Sequence, residues 1–147
     1  SLIGNGNTTD KFKLFEGFAQ LEVSGLPAPL SLIGNYAKNV DARDTPLYSD
    51  ADQDTAWLVG MKTRVRGIGI EWNYRDVERN AVVGIFTESD FAAGFVTARG
   101  HQLKVDYDIA SNLKLALTWM PAESDVASRY QDDADVETFQ IDLNTKF

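Results

Sequence analysis

The side chains with the clearest potential for chemistry are charged residues at alternating positions, beginning with Lys62, Arg64 and Arg66. Alternate positions of a β-strand lie on one face of the sheet, so this spacing predicts a column of positive charge. Glu71 and Arg75 follow after a tight turn and are predicted to lie on the partner strand of a hairpin. Such columns set ion preference in water-filled pores. They also occur on ordinary solvated sheets, where each ion pair contributes on the order of 0–1 kcal/mol.

Other kinds of chemistry have little support. The chain has one histidine and no cysteine. His101 is predicted to lie on the apolar faces of the strands, away from the acidic residues of the polar faces, so no catalytic arrangement and no enzyme are expected. The run Asp50, Asp52 and Asp54 resembles the first half of a calcium loop, but it lacks the following glycine and the distant glutamate. It predicts either a Ca²⁺ site in an acidic loop or a merely solvated loop, and no other cofactor is implied.

The overall charge narrows the class of partner. The chain has 22 acidic and 14 basic residues and a formal net charge of −8. A general nucleic-acid binder needs a basic surface, so nucleic acid is not an expected partner.

Period-two alternation of apolar and polar residues predicts β-strands throughout the chain. The predicted strands are 11–24, 30–39, 55–66, 68–79, 100–109, 113–120 and 135–147. The connection between 80 and 99 is expected to hold a short helix or the beginning of the next strand. No apolar run approaches the roughly 18 residues that a membrane helix needs.

Short turns and long loops alternate along the chain. The turns lie at 25–29, near 67 and at 110–112, whereas the loops span 40–54, 80–99 and 121–134. An antiparallel up-and-down meander with this asymmetry is typical of outer-membrane barrels, which have short periplasmic turns and long outer loops. We therefore predict an all-β, antiparallel, up-and-down transmembrane β-barrel, with a soluble β-sandwich or lipocalin-like barrel as an alternative.

Aromatic residues on the apolar parity support the membrane interpretation, because aromatic girdles mark the two membrane interfaces of such barrels. The predicted girdle residues are Tyr36, Trp57, Tyr74, Trp119, Phe139 and Phe147. The last strand also resembles the final strand of bacterial outer-membrane barrels, which ends in a phenylalanine that the barrel-assembly machinery recognises. By that resemblance, Phe147 is the expected contact with this machinery.

If the apolar faces meet lipid, the polar faces line the lumen. The predicted pore-lining residues are Glu16, Lys62, Arg64, Arg66, Glu71, Arg75, Lys104, Asp106, Asp108, Lys114 and Asp142.

Residues 72–120 and the last strand resemble the Gram-negative outer-membrane "putative porin" family. The resemblance rests on a Y-R-x-V-E strand end at 74–78, an A-V-V-G-x-F-T-x-S-D-F loop at 81–91 and a G-x-x-L-x-x-x-Y strand at 100–107. The chain departs from the family at residues 92–95, where members are often richer in glycine. The resemblance implies a porin in the bacterial outer membrane, through which small hydrophilic solutes or ions diffuse passively. The implied surroundings are the lipid bilayer and lipopolysaccharide, with homo-oligomerisation as a further expectation.

Seven predicted strands are fewer than family members contain, and bacterial single-chain barrels use even numbers. We therefore expect residues 1–147 to form one segment, the C-terminal portion of a larger barrel. The alternatives are a small closed barrel with an eighth strand hidden in 1–10, or a non-conducting barrel with a structural, adhesion or scaffold role.

Overall fold

The computed structural model describes residues 7–47, 49–83, 90–94, 96–124 and 134–146. These residues form one antiparallel sheet of seven strands in sequence order. The strands are β1 (Leu14–Val23), β2 (Leu30–Asn39), β3 (Thr55–Val65), β4 (Ile68–Val77), β5 (Ala98–Ala110), β6 (Leu113–Ser124) and β7 (Ala134–Thr145). The predicted all-β meander is confirmed. A short 3-10 helix, Ala92–Gly94, lies in the β4–β5 connection.

The strand register keeps apolar residues opposite apolar residues across the sheet. Val59, for example, lies between Gly34 of β2 and Tyr74 of β4. The resulting apolar face is exposed: 46% of Val59 and 64% of Ile141 are accessible. Its other large members include Leu21, Leu32, Met61, Ile70, Leu117 and Leu143. An exposed apolar surface that crosses a whole sheet is larger than soluble monomers normally tolerate.

A cluster of buried apolar residues lies on the opposite, polar face of the sheet. Phe91 and Ala92, from the β4–β5 connection, pack with Ala98, Met120 and Ala122 of β5 and β6. Small side chains on these strands leave room for this connection to fold onto the sheet. The polar face therefore carries a local apolar core at its long-loop end.

Arg66 lies outside β3, and its predicted position on the strand is wrong. Arg66 and Gly67 form the two-residue turn between Val65 and Ile68, with φ values of 50° and 84°. Positive φ at both turn residues is characteristic of the type I′ turn that matches the twist of a hairpin. Arg66 is thus exposed at the short-turn end of the sheet.

β6 continues past the predicted boundary at Met120, through Pro121 to Ser124. Proline has no N–H to donate, and the β5–β6 pairs are missing between Gly100–Ala122 and Leu103–Trp119. A Cβ on Gly100 would lie 2.6 Å from the Cα of Ala122 and would overlap the Pro121 carbonyl oxygen. The absence of a side chain at Gly100 therefore lets β5 and β6 approach closely beside the proline.

The sheet is open, with β1 and β7 as its two edges. Because neighbouring strands alternate in direction, β1 and β7 of this seven-stranded meander run the same way. None of the described helical segments is long and apolar enough to cross a membrane.

Candidate functional site

The polar face brings together most of the charged residues that the sequence singled out. The strand register places five cations and six carboxylates on it: Lys62, Arg64, Arg75, Lys104, Lys114, Glu16, Glu22, Glu71, Asp106, Asp108 and Asp142. Glu22 shares a row with Lys62 through Ser31 of β2. The two signs nearly cancel, so this face is a mixed-charge surface.

Arg64 forms the centre of an ion-pair cluster at the short-turn end. Its guanidinium pairs with Asp106 and, at 2.9 Å, with Asp108, two residues of β5. β4 separates Arg64 from these partners, and Gly69 is the β4 residue in register between Arg64 and Asp106. A Cβ at Gly69 would lie 2.7 Å from an Arg64 nitrogen. Glycine at this position therefore allows the arginine to reach across β4.

Lys114 of β6 extends the same cluster. Its Nζ lies 3.4 Å from Asp106 and 3.6 Å from Asp108. The predicted column of positive charge is therefore broken at Arg64, because Asp106 and Asp108 neutralise its guanidinium. The same two carboxylates also lie close to Lys114. No charge-selective role of Arg64 follows from its sequence spacing alone.

Lys62 and Lys104 differ from Arg64. They lie in one row on either side of Glu71, in the order Lys62, Glu71, Lys104. Within the described part of the chain, neither lysine has an ion pair within 4.0 Å. Among the described residues, both ammonium groups therefore lack a close carboxylate partner, unlike the Arg64 guanidinium.

The β4–β5 connection reaches the polar face next to Arg75. The Arg75 guanidinium lies over the Phe91 ring, 4.5 Å from its centre, and donates a 2.9 Å hydrogen bond to Gln102. Cation–π contacts of this kind hold an arginine flat against an aromatic surface. Phe91 was not singled out by sequence reasoning, because no periodic pattern in a loop reveals which face of a sheet it will cover.

The opposite face carries a band of aromatic residues near the long-loop end. Tyr36 lies in register with Trp57, and Trp119 with Phe139. The rings of Trp57 and Tyr74 are 5.3 Å apart. The structure therefore brings these five predicted girdle residues to one level of the apolar face, whereas Phe147 lies outside the described residues.

His101 belongs to this aromatic band. Its ring lies 4.8 Å from Tyr74 and 5.7 Å from Trp72, on the face opposite the polar-face cations and carboxylates. The geometry places the histidine among aromatic residues of the apolar face.

The acidic run in the β2–β3 loop is divided among different partners. Asp50 is nearly buried, pairs with Arg79 at 3.1 Å and accepts a 2.7 Å hydrogen bond from Thr8. Asp54 pairs with Lys38 at 3.1 Å. Among the described residues, no three candidate ligands converge on one point, so Asp50, Asp52 and Asp54 do not form a cluster. Calcium binding here stays a prediction.

A second ion pair shapes the same loop. The Arg43 guanidinium donates two hydrogen bonds to Asp41, at 2.8 and 3.2 Å. These bonds lower the pKa of Asp41, which keeps this exposed carboxylate ionised in more acidic solution than usual.

A buried polar network holds the long-loop end together. The side-chain oxygen of Asn80, Oδ1, accepts hydrogen bonds from the backbone N–H groups of Thr8 and Thr9, both at 3.0 Å. The side-chain amide of Asn80 donates to the backbone carbonyl of Asp50, and the side-chain amide of Asn39 donates to the backbone carbonyl of Asn80. Sequence reasoning missed these two fully buried asparagines, since asparagine at a strand end or in a loop usually indicates only a turn.

An open antiparallel up-and-down sheet with an exposed apolar face and a charged opposite face is the architecture expected of a segment of an outer-membrane barrel. A profile of the family described as "Putative porin" matches residues 7–147. The chain belongs to that family. Neither a curated protein nor a solved structure matched the chain.

Proposed function

We propose that this chain forms part of the wall of an outer-membrane porin, a water-filled β-barrel through which small hydrophilic solutes and ions diffuse passively. The observation that carries the proposal is the contrast between the two faces of one sheet. The apolar face is exposed across the strands, whereas charged residues from six of the seven strands share the other face.

Contact with lipid would account for the exposure of the apolar face, and contact with water would account for the charges on the polar face. Burying apolar surface stabilises by about 25 cal/mol per Å², so an exposed apolar sheet favours contact with acyl chains. Charged groups cannot be placed in the same environment without a cost of several kcal/mol each. A barrel with lipid outside and water inside satisfies both faces.

The barrel requires strands in addition to the seven described here. Open sheet edges are not tolerated in the hydrocarbon region, and β1 and β7 run the same way. Antiparallel closure therefore needs an odd number of further strands between these edges. This requirement supports the view that residues 1–147 are one portion of a larger barrel.

The likeness to outer-membrane barrels also supports an orientation and a set of partners. The long connections would face outward, next to lipopolysaccharide, and the short turns would face the periplasm. The aromatic band would lie at the outer interface of the bilayer. Recognition of Phe147 by the barrel-assembly machinery and homo-oligomerisation are parts of the same proposal.

Conductance in a planar bilayer tests the proposal. The purified full-length protein is expected to give discrete steps of current in potassium chloride. Its mobility on a gel without boiling should differ from that of the boiled sample, because folded barrels resist detergent. A folded protein that gives no current steps would contradict the pore while leaving the fold intact.

A non-conducting barrel is the second candidate, and one observation favours it. Phe91 and Ala92 cover part of the polar face near β6, as expected if a segment fills the lumen. Deletion of residues 81–94 would then create conductance in a barrel that otherwise has none, whereas a porin conducts before the deletion.

A further inference from the structure

The polar face contains one pocket whose character differs from its surroundings. A cavity of about 260 Å³ lies at the long-loop end of β1 to β4, beneath the β4–β5 connection. Its apolar lining comes mainly from Leu14, Ala37, Ala56, Leu58, Val82 and Phe91. We name this cavity the wall pocket.

The wall pocket exists because the polar-face positions of the strands carry apolar rather than charged residues at this end of the sheet. Toward the short-turn end, the polar-face positions of β3 are Lys62 and Arg64, but toward the long-loop end they are Ala56 and Leu58. Ala37 is the polar-face neighbour of Ala56 on β2. Two adjacent alanines leave a depression, and the larger side chains around it form apolar walls.

The polar groups of the wall pocket are Glu16, Asn35 and Arg75. Arg75 already lies against Phe91 and donates to Gln102. Glu16 is exposed, and its carboxylate accepts a 2.9 Å hydrogen bond from the Asn35 amide. In the described ranges no cation lies within ion-pair distance of Glu16. The pocket thus combines apolar walls with a carboxylate that has no close ion-pair partner among the described residues and with an arginine that is held against Phe91 and Gln102.

These features select one kind of ligand. A primary ammonium group carries three donors and one positive charge, which suits a carboxylate that has accepted only one hydrogen bond. Apolar walls favour a ring or a branched aliphatic group. The acidic residues of the long-loop end and the net charge of −8 would raise the local concentration of cations.

We propose that the wall pocket is a binding site for small amphipathic cations, namely primary amines that carry an aromatic or branched aliphatic group. The ammonium group binds Glu16, and the apolar group packs against Leu58 and the two alanines. The inference rests on the proposed function only in placing the pocket inside the lumen. Binding itself does not depend on conductance.

Three probes that differ in one property each test the site on the full-length protein in detergent. Phenethylamine has both the charge and the ring, ethylamine has the charge alone, and 3-phenylpropionate has the ring with the opposite charge. Titration calorimetry should detect saturable binding of phenethylamine at least about tenfold tighter than that of either other probe. Equal binding of all three probes, or no binding of phenethylamine, would overturn the proposal.

A current measurement separates this inference from the proposed function. In conducting channels, phenethylamine should reduce the current saturably, and ethylamine at the same concentration should not. Absence of conductance together with selective amine binding would contradict the pore and retain the site. Normal conductance without selective amine binding would support the pore and contradict the binding site.

Two variants and a matched control identify the residues responsible. Glu16→Gln should weaken phenethylamine binding at least about tenfold, because the charged hydrogen bond is lost. Ala37→Leu should fill the pocket and weaken phenethylamine without changing the response to ethylamine. Glu123→Gln makes the same charge change on the other face of the sheet and should leave phenethylamine binding as in the unmodified protein. An equal loss in all three variants would refute the assignment to Glu16.

Discussion

At the scale of single residues, the function of a charged side chain depends on its neighbours more than on its own type. Arg64 and Lys62 occupy equivalent positions on one strand, yet Arg64 has two carboxylate partners and Lys62 has no carboxylate within 4.0 Å among the described residues. Arg64 is therefore best understood as a link between β3 and β5. Lys62 and Lys104 are better candidates for contact with ions.

The double substitution Lys62→Glu and Lys104→Glu should make the channel more selective for cations. It replaces two ammonium groups of the polar face with carboxylates, and charges in a narrow aqueous space concentrate counter-ions. The potassium-to-chloride permeability ratio, measured from the reversal potential in a salt gradient, should rise by at least about twofold.

Lys38→Glu provides the control for this charge change, because Lys38 lies on the opposite face, in register with Thr55. Its effect on the reversal potential should be clearly smaller. Equal shifts for Lys38 and for the polar-face lysines would show that the polar face does not line the pathway.

Asn80→Ala should loosen the long-loop end of the protein. The substitution leaves the N–H groups of Thr8 and Thr9 without their acceptor, and each buried unsatisfied donor costs about 1–3 kcal/mol. Tryptic cleavage after Lys11 and Arg43 should become about ten- to a hundredfold faster, because proteolysis follows the population of the open form.

Asn144→Ala removes an exposed asparagine from β7 and serves as the matched control. Its cleavage pattern should equal that of the unmodified protein. If Asn80→Ala behaved in the same way, the network around Asn80 would not be what holds these loops.

At the scale of the strands, glycine residues determine where neighbouring strands and their side chains can approach closely. Gly69 lets an ion pair cross β4, and Gly100 lets β5 approach β6 beside Pro121. The type I′ turn at Arg66 and Gly67 sets the register of the β3–β4 hairpin. Glycine thus has different structural roles at positions that look alike in the sequence.

Gly100→Ala should destabilise the sheet by about 1–3 kcal/mol, because the new methyl group would overlap the backbone of β6. Gly17→Ala is the control, since no atom lies within 4 Å of the position that its Cβ would take. That control should be neutral or stabilising by up to about 1 kcal/mol. Denaturant unfolding in detergent, followed by tryptophan fluorescence, measures both; equal destabilisation would contradict the close contact at Gly100.

At the scale of the whole molecule, the open edges determine what else the barrel must contain. We predict that β1 and β7 do not pair with each other in the folded full-length protein. Cysteine pairs that combine position 20 or 22 with position 142 or 144 should therefore not form disulfides, because a bridge needs Cα atoms less than about 7 Å apart.

Lys114→Cys with Asn144→Cys is the positive control, since these two residues are in register on β6 and β7. Oxidation should cross-link this pair. Efficient cross-linking of the edge pairs as well would mean that the seven strands close on themselves, and that no additional strands separate β1 from β7.

The sequence by itself determined the seven strands, their order in a meander, the two faces and the family. These properties depend on period-two alternation and turn residues, which are local signals. The sequence also indicated that the aromatic band lies near the long-loop end of the apolar face. The parity of a residue gives its face, and its distance from a turn gives its height along the strand. The sequence did not predict that β3 ends before Arg66 or that β6 continues through Pro121. The type I′ turn at Arg66 and Gly67 sets the first boundary, and the close approach of Gly100 allows the second.

Only the tertiary structure decided how the charged residues pair and what covers the polar face. Arg64 meets Asp106 and Asp108 because a strand without a side chain at Gly69 lies between them. Phe91 covers the polar face because small residues of β5 and β6 leave space for it. Both outcomes depend on side chains far apart in the chain, brought together by register, and no local pattern records that.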